Sequence, residues 1–114
     1  MRKEKQLQVL LYSKLVKDFD EYTDMLLAGG REKLKESIAE LSTKYDMLLE
    51  FRHFPPLDGN NLKALLNQKH PLDFLYKEWN KDTDLQFQEM HFAIISIAEQ
   101  EAQKLAKQKS EHER

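Results

Sequence analysis

The chain has 114 residues, of which 40% are hydrophobic and 33% charged, and its formal net charge is −2. These proportions fit one helix-rich domain, and the absence of cysteine excludes a disulfide scaffold and a thiolate metal site. Residues 1–27 carry five basic and five acidic side chains, 31–54 five of each, 55–82 four of each and 83–114 four and six, so no segment has the basic footprint of a duplex-binding protein.

Three glycines and three prolines leave few turns and long elements. No apolar run approaches the roughly 20 residues that span a bilayer. Val9-Leu10-Leu11-Tyr12 is too short for a signal-peptide core and is followed by charge. The expectation is a cytoplasmic protein without a membrane association.

The spacing predicts a first long helix over residues 4–27. Leu7, Leu11, Leu15, Phe19, Tyr22 and Leu26 recur at steps of four and three, with Leu10, Val16 and Met25 widening the stripe. Gly29-Gly30 should end it with a left-handed cap. A second long helix is expected over residues 31–53, with Leu34, Ile38, Leu41, Tyr45 and Leu48 stepping 4, 3, 4, 3 as a coiled-coil-like seam. So short a connection makes the two helices an antiparallel hairpin. Pro55-Pro56 breaks the second helix.

Asp58 is the expected N-cap of a short helix bearing Leu62, Leu65 and Leu66 on one face. Pro71 stops that helix and opens the next, because proline lacks an N–H but suits the first helical position. Leu72, Leu75, Tyr76 and Trp79 then share a face. A helix–turn–helix corner at His70-Pro71 results, anchored on Leu65, Leu66, Pro71, Leu75, Tyr76 and Trp79. Thr83 with Gln86 should form a capping box at the start of a last helix. Phe87, Met90, Ile94, Ile97, Ala98 and Leu105 are its apolar face. The pattern fades after Ala106, so residues 1–106 read as one all-α helical domain and residues 107–114 as a frayed tail.

Sites of chemistry are scarce. Glu50-x-x-His53 has the spacing of a di-iron bundle ligand pair, but its nearest companion is Gln88-x-x-His91, and glutamine is a poor substitute. No metal, cofactor or catalytic residue is assigned. No nucleophile stands beside a base, and Gly29-Gly30-Arg31 lacks the phosphate-loop pattern. The second helix of the corner offers Asp73, Phe74, Lys77 and Glu78, which is not the surface of a DNA-reading helix. One charge feature stands out. Asp18, Asp20, Glu21 and Asp24 crowd the C-terminal half of the first helix, where acids oppose the helix dipole. They are either a solvated face, paired with Lys33 or Lys35 across the hairpin, or an acidic rim around Phe19 and Tyr22 that meets a basic partner.

Leu11-Tyr12-x-Lys14-Leu15, Lys63-Ala64-Leu65-Leu66 and Pro71-Leu72-x-x-Leu75-Tyr76-x-Glu78-Trp79 carry a resemblance. The chain resembles an uncharacterised bacterial domain-of-unknown-function family, numbered thirty-eight forty-eight, over roughly residues 9 to 103. It departs from that pattern at Gly29-Gly30, where prolines are expected, and at Asp58-Gly59, where Ser-Pro is expected. The resemblance implies small helical proteins of mobile genetic elements and phage-like regions, with no catalytic residues to carry over. Two function classes follow. One is a non-enzymatic protein-binding accessory protein, such as a counter-defence (anti-CRISPR-like) inhibitor of a host nuclease, monomeric or homodimeric. The alternative is a small dimeric regulator that associates with nucleic acid.

Overall fold

The computed structural model describes residues 2–53 and 57–112. They form seven helices in the order α1 (Arg2–Ala28), α2 (Gly30–Glu36), α3 (Ile38–His53), α4 (Gly59–Leu66), α5 (Pro71–Lys81), α6 (Thr83–Gln86) and α7 (Met90–His112). No strand occurs among the described residues, and the architecture is an all-α helical bundle. The proposed break at Pro55-Pro56 lies outside the described residues.

Gly30 has φ +84°, a backbone state that glycine adopts without the clash a Cβ would bring. The Gly29 N–H closes α1 on the carbonyls of Met25 and Leu26. The chain then reverses. Phe19 meets Tyr45, with ring centroids 6.0 Å apart, and Tyr22 lies against Lys44, so α1 and α3 run antiparallel. One long second helix was expected here. Instead Ser37 interrupts it, its N–H bonded to the Leu34 carbonyl, and the short α2 buries no residue.

The core gathers Leu11 and Leu15 of α1, Met47 and Phe51 of α3, Leu62 and Leu65 of α4, Leu72 and Leu75 of α5, and Ile94 and Ile97 of α7. Burying each such side chain contributes about 1.5–3 kcal/mol, more than a helix of α4's length draws from its own backbone. Two corrections follow from which faces are buried. Leu10 and Met25 do not widen the α1 stripe; both are more than half exposed. On α3 the expected seam is turned outward at Ile38 and Tyr45, and the buried face is Lys44, Met47, Leu48 and Phe51.

The corner between α4 and α5 is a four-residue turn, Asn67 to His70. Its two arms pack on different neighbours: α4 lies against α1 and α7, whereas α5 lies against α1, α3 and α7. Leu65, Pro71 and Leu75 are fully buried. Leu66, Tyr76 and Trp79 are half-buried and cover the core rather than fill it.

Beyond α5 the capping differs from expectation. The N-cap is Asp82, whose carboxylate accepts from the Asp84 and Leu85 N–H groups. Gln86 Nε2 donates to the Trp79 and Asn80 carbonyls, closing the end of α5. The helix that starts there is the single turn α6; α7 begins only at Met90. Phe87 consequently lies outside the apolar face, 86% exposed. The α7 backbone is helical to His112, and Lys107 and Gln108 are exposed.

Candidate functional site

A cleft of about 320 Å³ opens where α1, α3 and the start of α5 meet, lined by Asp18, Glu21, Tyr22, Lys44, His70 and Asp73 among others. It is built from two networks. The first is centred on Asp18. Its Oδ2 accepts from the Leu72 and Asp73 N–H groups at 2.9 and 3.1 Å, and its Oδ1 lies 3.2 Å from His70 Nδ1. His70 occupies the N-cap position of α5 but makes no capping bond with its own side chain. Asp18 supplies that cap from another helix, satisfying donors a helix start leaves free and placing negative charge at its positive end. One turn earlier, Lys14 Nζ donates to the Leu66 carbonyl at 2.8 Å, at the C-terminal end of α4. A cation at one helix end and an anion at the next, both on one face of α1, thus clamp the turn between α4 and α5.

The second network is centred on Lys44, only 3% exposed. Its ammonium lies 2.8 Å from Glu40 Oε2 and 3.1 Å from Asp73 Oδ1, and 3.7 Å from the centroid of the Tyr22 ring. A buried ammonium needs such partners to offset its lost hydration, and a ring face adds further attraction. Asp73 also receives Lys77 Nζ at 2.9 Å. Burial pushes the Asp73 carboxyl up, but the hydrogen bonds from Lys77 and Lys44 outweigh it and hold the group below the usual carboxylate range. Tyr22 Oη is buried beside Ser37 and Glu40. Burial first, and the charge of Glu40 second, push its phenol up to about 12.

The acidic residues singled out in the sequence therefore divide. Asp18 leaves the expected partner-binding rim, because its carboxylate is spent on α5. Phe19 and Tyr22 are half-buried against α3. Asp20, Glu21 and Asp24 are exposed. None of these three forms an ion pair, so Lys33 and Lys35 do not neutralise them across the hairpin. Met25, 53% exposed, stands beside them.

Asp18, Glu21 and His70 each place one ligating atom within 4.8 Å of the others. The set is a poor cation cage. Asp18 already accepts two backbone donors, and both the positive end of α5 and the Lys44 ammonium face the same cleft. The side chain of His53 lies outside the described residues. Its sequence companion Glu50 is half-buried, and Gln88 is exposed. His91 packs its ring on Phe92 with centroids 4.1 Å apart.

Lys14 was missed by sequence reasoning, and Lys44 was legible only as an i,i+4 partner of Glu40 on a face expected to be exposed, whereas it is buried. For Lys14 the signal was its place four residues before Asp18 on one helix face. No helix among the described residues is long and apolar enough to cross a membrane. No protein-family model, curated protein or solved structure matches the chain.

Proposed function

We propose that the protein acts by binding another protein through the acidic rim of α1 and performs no chemistry of its own. The observation that carries this reading is that Asp20, Glu21 and Asp24 stay exposed and unpaired near the end of a helix whose dipole they oppose. Local stability does not account for them. Exposed Met25 adds an apolar contact inside the rim. A patch of this composition speeds encounter with a basic surface more than it tightens the final complex. The basic groove of a nucleic-acid enzyme is the kind of surface that suits it, in keeping with a counter-defence role on a mobile element in the cytoplasm.

The absence of catalysis is supported by how the cleft spends its groups. Asp18 serves the α5 N–H groups, while Lys44 and Asp73 serve each other and their neighbours. No base is left beside a nucleophile there.

The test is a triple variant, Asp20→Lys, Glu21→Lys and Asp24→Lys, against a partner isolated by pull-down from the host. We expect unchanged or slightly raised stability, since the dipole conflict is relieved. The association rate at low salt should fall at least about tenfold. Unaltered binding would show that the rim is only solvated. Binding that depends on nucleic acid and collapses by about 0.5 M salt would point to the nucleic-acid regulator instead.

A further inference from the structure

Asn61 of α4 is a polar side chain that the fold buries without using. It is 6% exposed. Its backbone N–H is spent on the Asp58 cap, but its carboxamide makes no hydrogen bond among the described residues. The other buried residues of α4 are Leu62, Ala64 and Leu65, so an apolar side chain would serve the core at this position. A buried amide left unpaired is uncommon and costs free energy. The part of Asn61 that stays open faces a groove of about 780 Å³ between α4 and α7. Asn60, Asn67 and Gln103 line the same groove and are exposed. Buried Ala64 and half-buried Ala102 are small enough to let another backbone come close. Beside the groove Gln68 Nε2 donates to Glu101 Oε1 at 3.2 Å, tying the two helices together.

We propose that this groove binds a short, extended peptide segment by its backbone, with Asn61 pairing one peptide unit. A carboxamide is the complement of a peptide unit: its oxygen accepts from the N–H while its NH2 donates to the C=O. A helical ligand has already paired those groups internally and would leave Asn61 unsatisfied. The length agrees. Asn60 to Asn67 covers about 10 Å at 1.5 Å per residue, which takes about three extended residues at roughly 3.3 Å each. The volume lies within the range of ligand sites. A nucleobase edge also offers a donor beside an acceptor, but the charge of the groove decides against it. Its charged residues are Asp58 and Glu99 against Lys63, an excess of one acid that repels a polyanionic strand and favours a basic side chain on the peptide. The site lies on α4 and α7, away from the acidic rim of α1, so it does not rest on that reading.

The test is an NMR titration of the 15N-labelled full chain with the blocked tripeptide acetyl-Ala-Lys-Ala-N-methylamide. The Asn61 side-chain NH2 signals should shift and saturate with a dissociation constant of about 1 mM or below. Methylating the peptide nitrogens, which removes the backbone donors, should weaken binding at least about tenfold. Asn61→Leu should weaken it as much while raising the urea midpoint, because it replaces an unpaired buried amide by an apolar side chain and leaves the backbone cap in place. Asn61→Ala decides the binding if the leucine does not fit. No saturable shift by about 20 mM would overturn the proposal. So would tripeptide binding indifferent to N-methylation or to Asn61→Ala, a trinucleotide that binds more tightly than the tripeptide, or a folded Asn61→Leu variant with a lowered urea midpoint, which would assign the amide to the fold.

Discussion

An aspartate in the second half of a helix is unfavourable by local rules, and Asp18 shows how such a rule is overridden. Its carboxylate is bound by two N–H groups 54 and 55 residues away. Nothing near Asp18 in the chain announces those donors. What was legible was half of the arrangement: Pro71 opening a helix whose N-cap, His70, offers no suitable oxygen. Replacing Asp18 by alanine strands the two donors, and we expect a loss of about 1–3 kcal/mol. Asp18→Asn keeps one acceptor oxygen and should lose less than half as much. Urea denaturation of both variants is the measurement. Equal losses would mean that the charge, not the acceptor geometry, holds α5.

At the scale of the element, α3 is the instructive case. Its sequence holds two overlapping stripes, Ile38-Leu41-Tyr45-Leu48 and Lys44-Met47-Leu48-Phe51, about one residue of rotation apart. Pattern reading favours the first, because it is uninterrupted by charge. The fold buries the second, because Glu40, Asp73 and the Tyr22 ring together compensate the Lys44 ammonium, while its methylene stem adds apolar surface. The same caution applies to α5. An aromatic pair with centroids 6.2 Å apart, Tyr76 and Trp79, looks like the anchor of the helix. The fully buried residues are instead Leu72 and Leu75, at 1% and 0% exposure. We therefore expect Leu75→Ala to cost about 3 kcal/mol or more, as a cavity in a closed core does. Trp79→Ala should cost less, about 2 kcal/mol, since part of the ring already meets water. Chemical denaturation ranks the two directly, and a larger loss at Trp79 would return that residue to the centre of the core.

For the whole molecule, the order of the main helices was legible from 3.6-residue periodicity and from the glycine and proline positions. The helix partners were not, since which helix a face meets is decided by all the faces together. Lys44 and Asp73 tie α3 directly to α5 by charge, and that tie gives the fold an acid-sensitive component. In the folded chain the Asp73 carboxyl is held below its usual range; in the unfolded chain it returns to it. A depressed carboxylate contributes stability that is fully present above the unfolded value and is lost as pH falls through the folded one. Stability should therefore decline as the solution is acidified below about pH 4, and part of that decline belongs to Asp73. Because the side chain is a third exposed, solvent screening limits its share to about 1 kcal/mol or less. Asp73→Asn should accordingly lower stability at pH 7 and converge with the parent near pH 2. Urea midpoints for both proteins across that range test this. A gap that persists undiminished in acid would assign the loss to the packing of α5 rather than to the charge at Asp73.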